Sequence, residues 1–83
     1  MKVLHVISGT IIETGITQNT LDRLFSQSIE EITNSNTGWA DVRRFIDAMD
    51  KAGVYTSSDK SYYVDLKDIQ ETMCIDEFEL LIY

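Results

Sequence analysis

Apolar residues change their spacing along this chain, and each spacing suits a different kind of element. Over 3–7 they run nearly unbroken, with His5 between Leu4 and Val6. Over 21–49 they recur every three or four positions, and over 77–83 they alternate with polar ones. Unbroken and alternating runs are strand patterns, whereas a three-four spacing marks one face of a helix. Helices must therefore pack on a sheet, and 83 residues supply one core for both. Surface scaling gives a chain of this mass a folded accessible area of roughly 5,000 Å².

The expected fold class is α+β, one compact domain over 1–83. A small antiparallel or mixed sheet carries two main helices and one short helix on one face, in the order β(β)-α-α-ββ-α-β. Residues 3–7 and 10–14 are strand-like and flank the turn signal Ser8-Gly9. They form either a hairpin or one strand bulged at Gly9, and the hairpin is favoured. The first helix is expected over 18–33. Thr17 caps it, Ile16 and Leu21 form a hydrophobic staple, and Leu21, Leu24, Phe25, Ser28, Ile29 and Ile32 make its inner face. The second helix presents Trp39, Val42, Phe45, Ile46 and Met49 and ends at a left-handed Gly53. Phe25, Ile29, Phe45 and Met49 should share one core.

Beyond Gly53, residues 54–56 and 61–64 read as a hairpin around the loop 57–60, with Tyr62 and Val64 inward and Tyr63 outward. Asp65 then caps a short helix on which Leu66, Ile69 and Met73 share a face, ending near Cys74. In the last strand Phe78, Leu80 and Ile82 face one way, and Glu77, Glu79, Leu81 and Tyr83 the other.

Charge limits the partners. Fourteen acidic against seven basic residues give a net charge of −7. Most of the imbalance lies in 65–83, where Asp65, Asp68, Glu71, Asp76, Glu77 and Glu79 face Lys67 alone. Nucleic-acid binders neutralise phosphates with clustered Lys and Arg, so direct nucleic-acid binding is not expected. No apolar run approaches the ~18 residues of a membrane helix, and no secretory signal is recognisable at the N-terminus. One cysteine excludes an internal disulfide. The expected location is the cytoplasm, that of the host if the protein is viral.

Little in the sequence points to chemistry. His5 is the only histidine. It reads as a buried or edge-strand residue, because strand alternation sends Ser8 to the opposite side. Cys74 reads as a small core residue whose acidic neighbours Glu71 and Asp76 disfavour a thiolate. One His and one Cys are too few for a zinc site without carboxylates, and the scattered glycines form no phosphate-binding loop. Neither cofactor, metal nor catalysis is expected.

The first functional reading is a non-enzymatic acidic binding protein, an inhibitor or adaptor that occupies a basic surface of a larger protein. Small acidic proteins of bacteriophages and mobile elements are similar to it in size and charge. The candidate contact residues are Asp76, Glu77, Glu79, Tyr63 and Trp39, although Trp39 fits the core stripe of its helix better than an interface. A homodimer is compatible with the same features. The second reading is a DNA-binding regulator: over 38–66, Arg43 and Arg44 on a helix followed by a hairpin at 55–64 resemble a winged-helix recognition helix and wing.

Overall fold

The structure is a computed structural model that describes residues 1–57 and 61–81. It is α+β, as expected. Strands β1 (Lys2–His5), β2 (Thr10–Glu13) and β3 (Phe78–Leu81) form an antiparallel sheet in the order β2-β1-β3. The helices are α1 (Gln18–Ser26), α2 (Ile29–Thr33), α3 (Gly38–Ala52) and α4 (Tyr62–Thr72), and a 3-10 turn at Ile75–Glu77 leads into β3. The accessible surface is 5142 Å², close to the value expected for the mass.

The strand register explains the core. Val3 lies opposite Ile12 and Leu80, and His5 opposite Thr10 and Phe78. These positions share the face on which Val3, Ile12 and Phe78 are buried. Phe45 of α3 is fully buried, with its ring 6.0 Å from Phe25 and 5.7 Å from Phe78. Met49 is buried beside it, and Phe25 and Ile29 pack half-buried against the same core.

The N-terminal strands form the hairpin. β1 stops at His5, two positions before the expected end, because the chain turns over Val6 to Gly9 and leaves Val6 and Ile7 exposed. Gly9 sits at φ 71° and donates its N–H to the His5 carbonyl. That backbone region suits glycine.

The first helix is two helices. Thr17 caps α1 by accepting from the Thr20 N–H, as expected. Gln27 is extended, however, and Ser28 does not belong to an apolar face. Its hydroxyl caps α2 by accepting from the Glu31 N–H. Ser28 followed three positions later by Glu31 is a capping-box spacing inside a longer helical pattern.

The expected hairpin at 54–64 is not formed by the described residues. Residues 62–64 belong to α4, and residues 58–60 lie outside the described residues. Tyr62 precedes Leu66 by four positions and Ile69 by seven, so helical packing overrides the strand preference of Tyr-Tyr-Val. Asp65 is thus inside the helix and buried, receiving the Ser57 hydroxyl hydrogen, and is not its cap. Val64 is exposed rather than inward. Cys74 is exposed, because the chain after Thr72 runs extended through Met73 and Cys74.

Candidate functional site

An open groove of about 510 Å³ lies between α1 and the β3 edge. Val6, Ile75 and Leu80 expose apolar surface to it over the buried Leu21 and Phe78, Gln18 adds a polar group, and Asp22, Asp76 and Glu79 supply its charge. Among the described residues, no Lys or Arg lines it. The one base of α1, Arg23, is turned away and lies 3.6 Å from Asp41 of α3. Local sequence explains each wall. Asp22 falls on the outer face of α1, one position past the buried Leu21. The 3-10 turn presents Asp76, and strand alternation sends Phe78 inward and Glu79 outward.

Of the candidate contact residues, Asp76 and Glu79 come together here. Glu77 does not share a strand face with Glu79, since it ends the 3-10 turn with its carboxylate 3.9 Å from His5 Nε2. Trp39 and Tyr63 meet elsewhere, with ring centroids 6.1 Å apart between α3 and α4. Trp39 is half-buried and Tyr63 exposed. Asp22, Val6 and Ile75 had no local signal, because the groove joins segments distant in sequence.

An unexpected trio gathers where the hairpin loop meets the 3-10 turn. Ser8 does not point away from His5, because strand alternation ends at His5 and the loop folds the hydroxyl back to 2.8 Å from Nδ1. Glu77 lies on the Nε2 side, and Nε2 is buried without a hydrogen-bond partner among the described residues. A serine nucleophile needs free amide donors nearby to receive an oxyanion. The Gly9 N–H is committed to the His5 carbonyl, and the Thr10 N–H points to Ser8 Oγ itself. The hydrogen bonds of Ser8 to His5 and Thr10 tie the hairpin loop together.

A second acidic group lies between α3 and α4 and is occupied from within. Asp50 accepts the Ser57 N–H at 2.8 Å, Asp47 the Tyr62 hydroxyl at 3.2 Å and Asp68 the Tyr55 hydroxyl at 2.8 Å. Burial first, then the hydrogen bond to Asp68 and the charges of Asp68, Asp65 and Asp50, push the Tyr55 hydroxyl well above the usual phenol range. Arg43 sits over the Tyr62 ring at 5.3 Å and Arg44 approaches Asp41 at 3.9 Å. The described residues therefore offer no wing beside these arginines. Among the described residues, no group of three or more His, Cys, Asp or Glu could hold a metal ion, and no helix is long and apolar enough to cross a membrane.

No protein-family model matches this chain, and no curated protein or solved structure is significantly similar to it.

Proposed function

We propose that this protein is a non-enzymatic binding module that receives a basic, partly apolar segment of a larger protein in the groove between α1 and β3. The observation that carries this reading is the groove itself, where Val6, Ile75 and Leu80 offer apolar surface beside Asp22, Asp76 and Glu79, with no base among the described residues. Apolar burial supplies affinity, and the carboxylates supply orientation and a faster encounter with a positive surface. An inhibitor or adaptor in the cytoplasm, as among the small acidic proteins of phages and mobile elements, is the role such a surface suits. Arg43 and Arg44 are engaged by Tyr62 and Asp41, which weighs against the DNA-binding alternative.

The test is affinity capture from extracts of the source cell with the wild type and an Asp22→Asn, Asp76→Asn, Glu79→Gln triple variant. The expected partner has a basic surface, is lost at high salt, and associates at least about tenfold more slowly with the triple variant, with a smaller change in dissociation. A partner retained equally by the triple variant would remove the groove as the site. Binding of mixed-sequence duplex DNA tighter than about 1 μM at physiological salt, better than ordinary non-specific affinity, would favour the DNA-binding reading instead.

A further inference from the structure

Beside the groove, β3 has an edge unpaired among the described residues, since the order β2-β1-β3 places it at the border of the sheet. The backbone pattern fixes which groups face outward. The Val6 N–H donates to the Glu77 carbonyl at 2.8 Å, and the Thr14 N–H to the Met1 carbonyl at 3.2 Å. In an antiparallel ladder, hydrogen-bonded pairs alternate with non-bonded pairs. With Leu4 opposite Glu79 and Val3 opposite Leu80, the Glu79 peptide groups point to β1 and those of Leu80 point away. The Phe78 N–H closes the preceding turn on the Ile75 carbonyl. The Leu80 N–H, the Leu80 carbonyl and the Phe78 carbonyl thus line an open edge with no strand partner among the described residues.

We propose that the partner binds as an added strand: an extended basic segment pairs with β3 through Leu80 and lays alternate apolar side chains into the groove. Three consecutive residues of β3, Phe78, Glu79 and Leu80, line the groove, which therefore runs along the strand edge and not over one sheet face. Strand addition draws affinity from main-chain hydrogen bonds and specificity from pockets for alternate side chains. Charge selects the occupant. Asp22, Asp76 and Glu79 repel an acidic segment and attract one whose outward positions are Lys or Arg. The opposite sheet edge, at β2, is less suited. Its groove is about 210 Å³, Lys51 contributes a positive charge, and the N-terminal ammonium lies 3.0 Å from Glu13. This inference rests on the acidic-groove reading and adds to it the mode of attachment.

The probe is an eight-residue synthetic peptide alternating lysine and valine, titrated into the isotope-labelled protein. Two controls accompany it: the same peptide methylated at every interior amide nitrogen, and a version with glutamate in place of lysine. The expected result is that the Leu80 amide exchanges with solvent at least about tenfold more slowly in the complex, and that methylation weakens binding at least about tenfold. An equally tight methylated peptide, or an unchanged Leu80 exchange rate in the complex, overturns strand addition and leaves the acidic groove standing. An equally tight glutamate peptide overturns the acidic-groove reading. No binding of the lysine-valine peptide at millimolar concentration overturns the proposal.

Discussion

Gly38 is where a single atom would do most harm. It opens α3 with its backbone against α2, and a Cβ there would fall on the Ile32 carbonyl oxygen and 2.9 Å from the carbonyl carbon. The obstacle is backbone, which cannot rotate aside as a side chain can. Gly38→Ala should therefore destabilise the protein by about 3 kcal/mol, as overpacking does, a large part of the stability of a small domain. Urea unfolding of the two proteins checks it, and a loss below about 0.5 kcal/mol would mean that α2 and α3 separate easily. In the sequence Gly38 is only the last residue of a polar loop. A close approach between backbones leaves no mark in composition. His5 is buried in its strand as expected, but the direction of Ser8 departs from expectation for a related reason: the alternation rule holds only while the strand lasts, and β1 ends between them.

Elements with their own local signals were legible, and those set by distant contacts were not. Thr17 and Gly53 mark helix ends by capping chemistry, and Leu21, Leu24, Phe45, Ile46 and Met49 mark inner faces by period; all stand where the spacing places them. The end of α1 is different. Gln70 of α4 donates from Nε2 to the Leu24 carbonyl at 2.6 Å and the Gln27 carbonyl at 3.0 Å, so a residue far along the chain caps the helix. Carbonyls at a helix end have no partner within the helix, which makes this amide a structural requirement. Gln70→Ala should cost about 2 kcal/mol, whereas Glu71→Ala beside it, exposed and without this role, should cost under about 0.5 kcal/mol. Hydrogen exchange offers the check. The Gln27 amide, bonded to the Arg23 carbonyl, should exchange faster in Gln70→Ala alone. The strand expectation for 61–64 failed because Tyr and Val prefer sheets only where a sheet is there to receive them. The groove was half legible: Asp76 and Glu79 stood out as acid near the C-terminal end, but their pairing with Asp22 depends on how α1 lies against the turn before β3.

On the scale of the molecule, charge and topology dominate. The protein measures 32 × 27 × 18 Å and carries a net charge of −7. At 0.01 M salt the screening length is about 30 Å, so every carboxylate feels every other, and at 0.15 M it is about 8 Å. The repulsion destabilises the compact state. Raising sodium chloride from 0.01 to 0.15 M should therefore raise the melting temperature by about 5 °C, the shift that about 1 kcal/mol produces in a domain of this size. A flat or falling melting temperature would mean that attractive pairs such as Arg23–Asp41 outweigh the repulsion.

The central place of β1 in the sheet has a consequence for synthesis. A ribosome makes β1 first among the strands and β3 last, yet Lys2 has Leu81 for its neighbour. The hairpin with β2 can form as soon as both strands have emerged, but the other edge of β1 must wait until β3, beyond helices α1 to α4, has been translated. Phe78, which completes the aromatic cluster with Phe25 and Phe45, arrives equally late. The nascent chain thus passes through no length short of β3 at which this sheet is complete, and the final closure joins β1 to β3 across helices α1 to α4. Such non-local pairing is slow relative to helix formation. Folding becomes one late event once β3 is free to pair, and until then the chain carries an unpaired strand edge that must be kept from its neighbours.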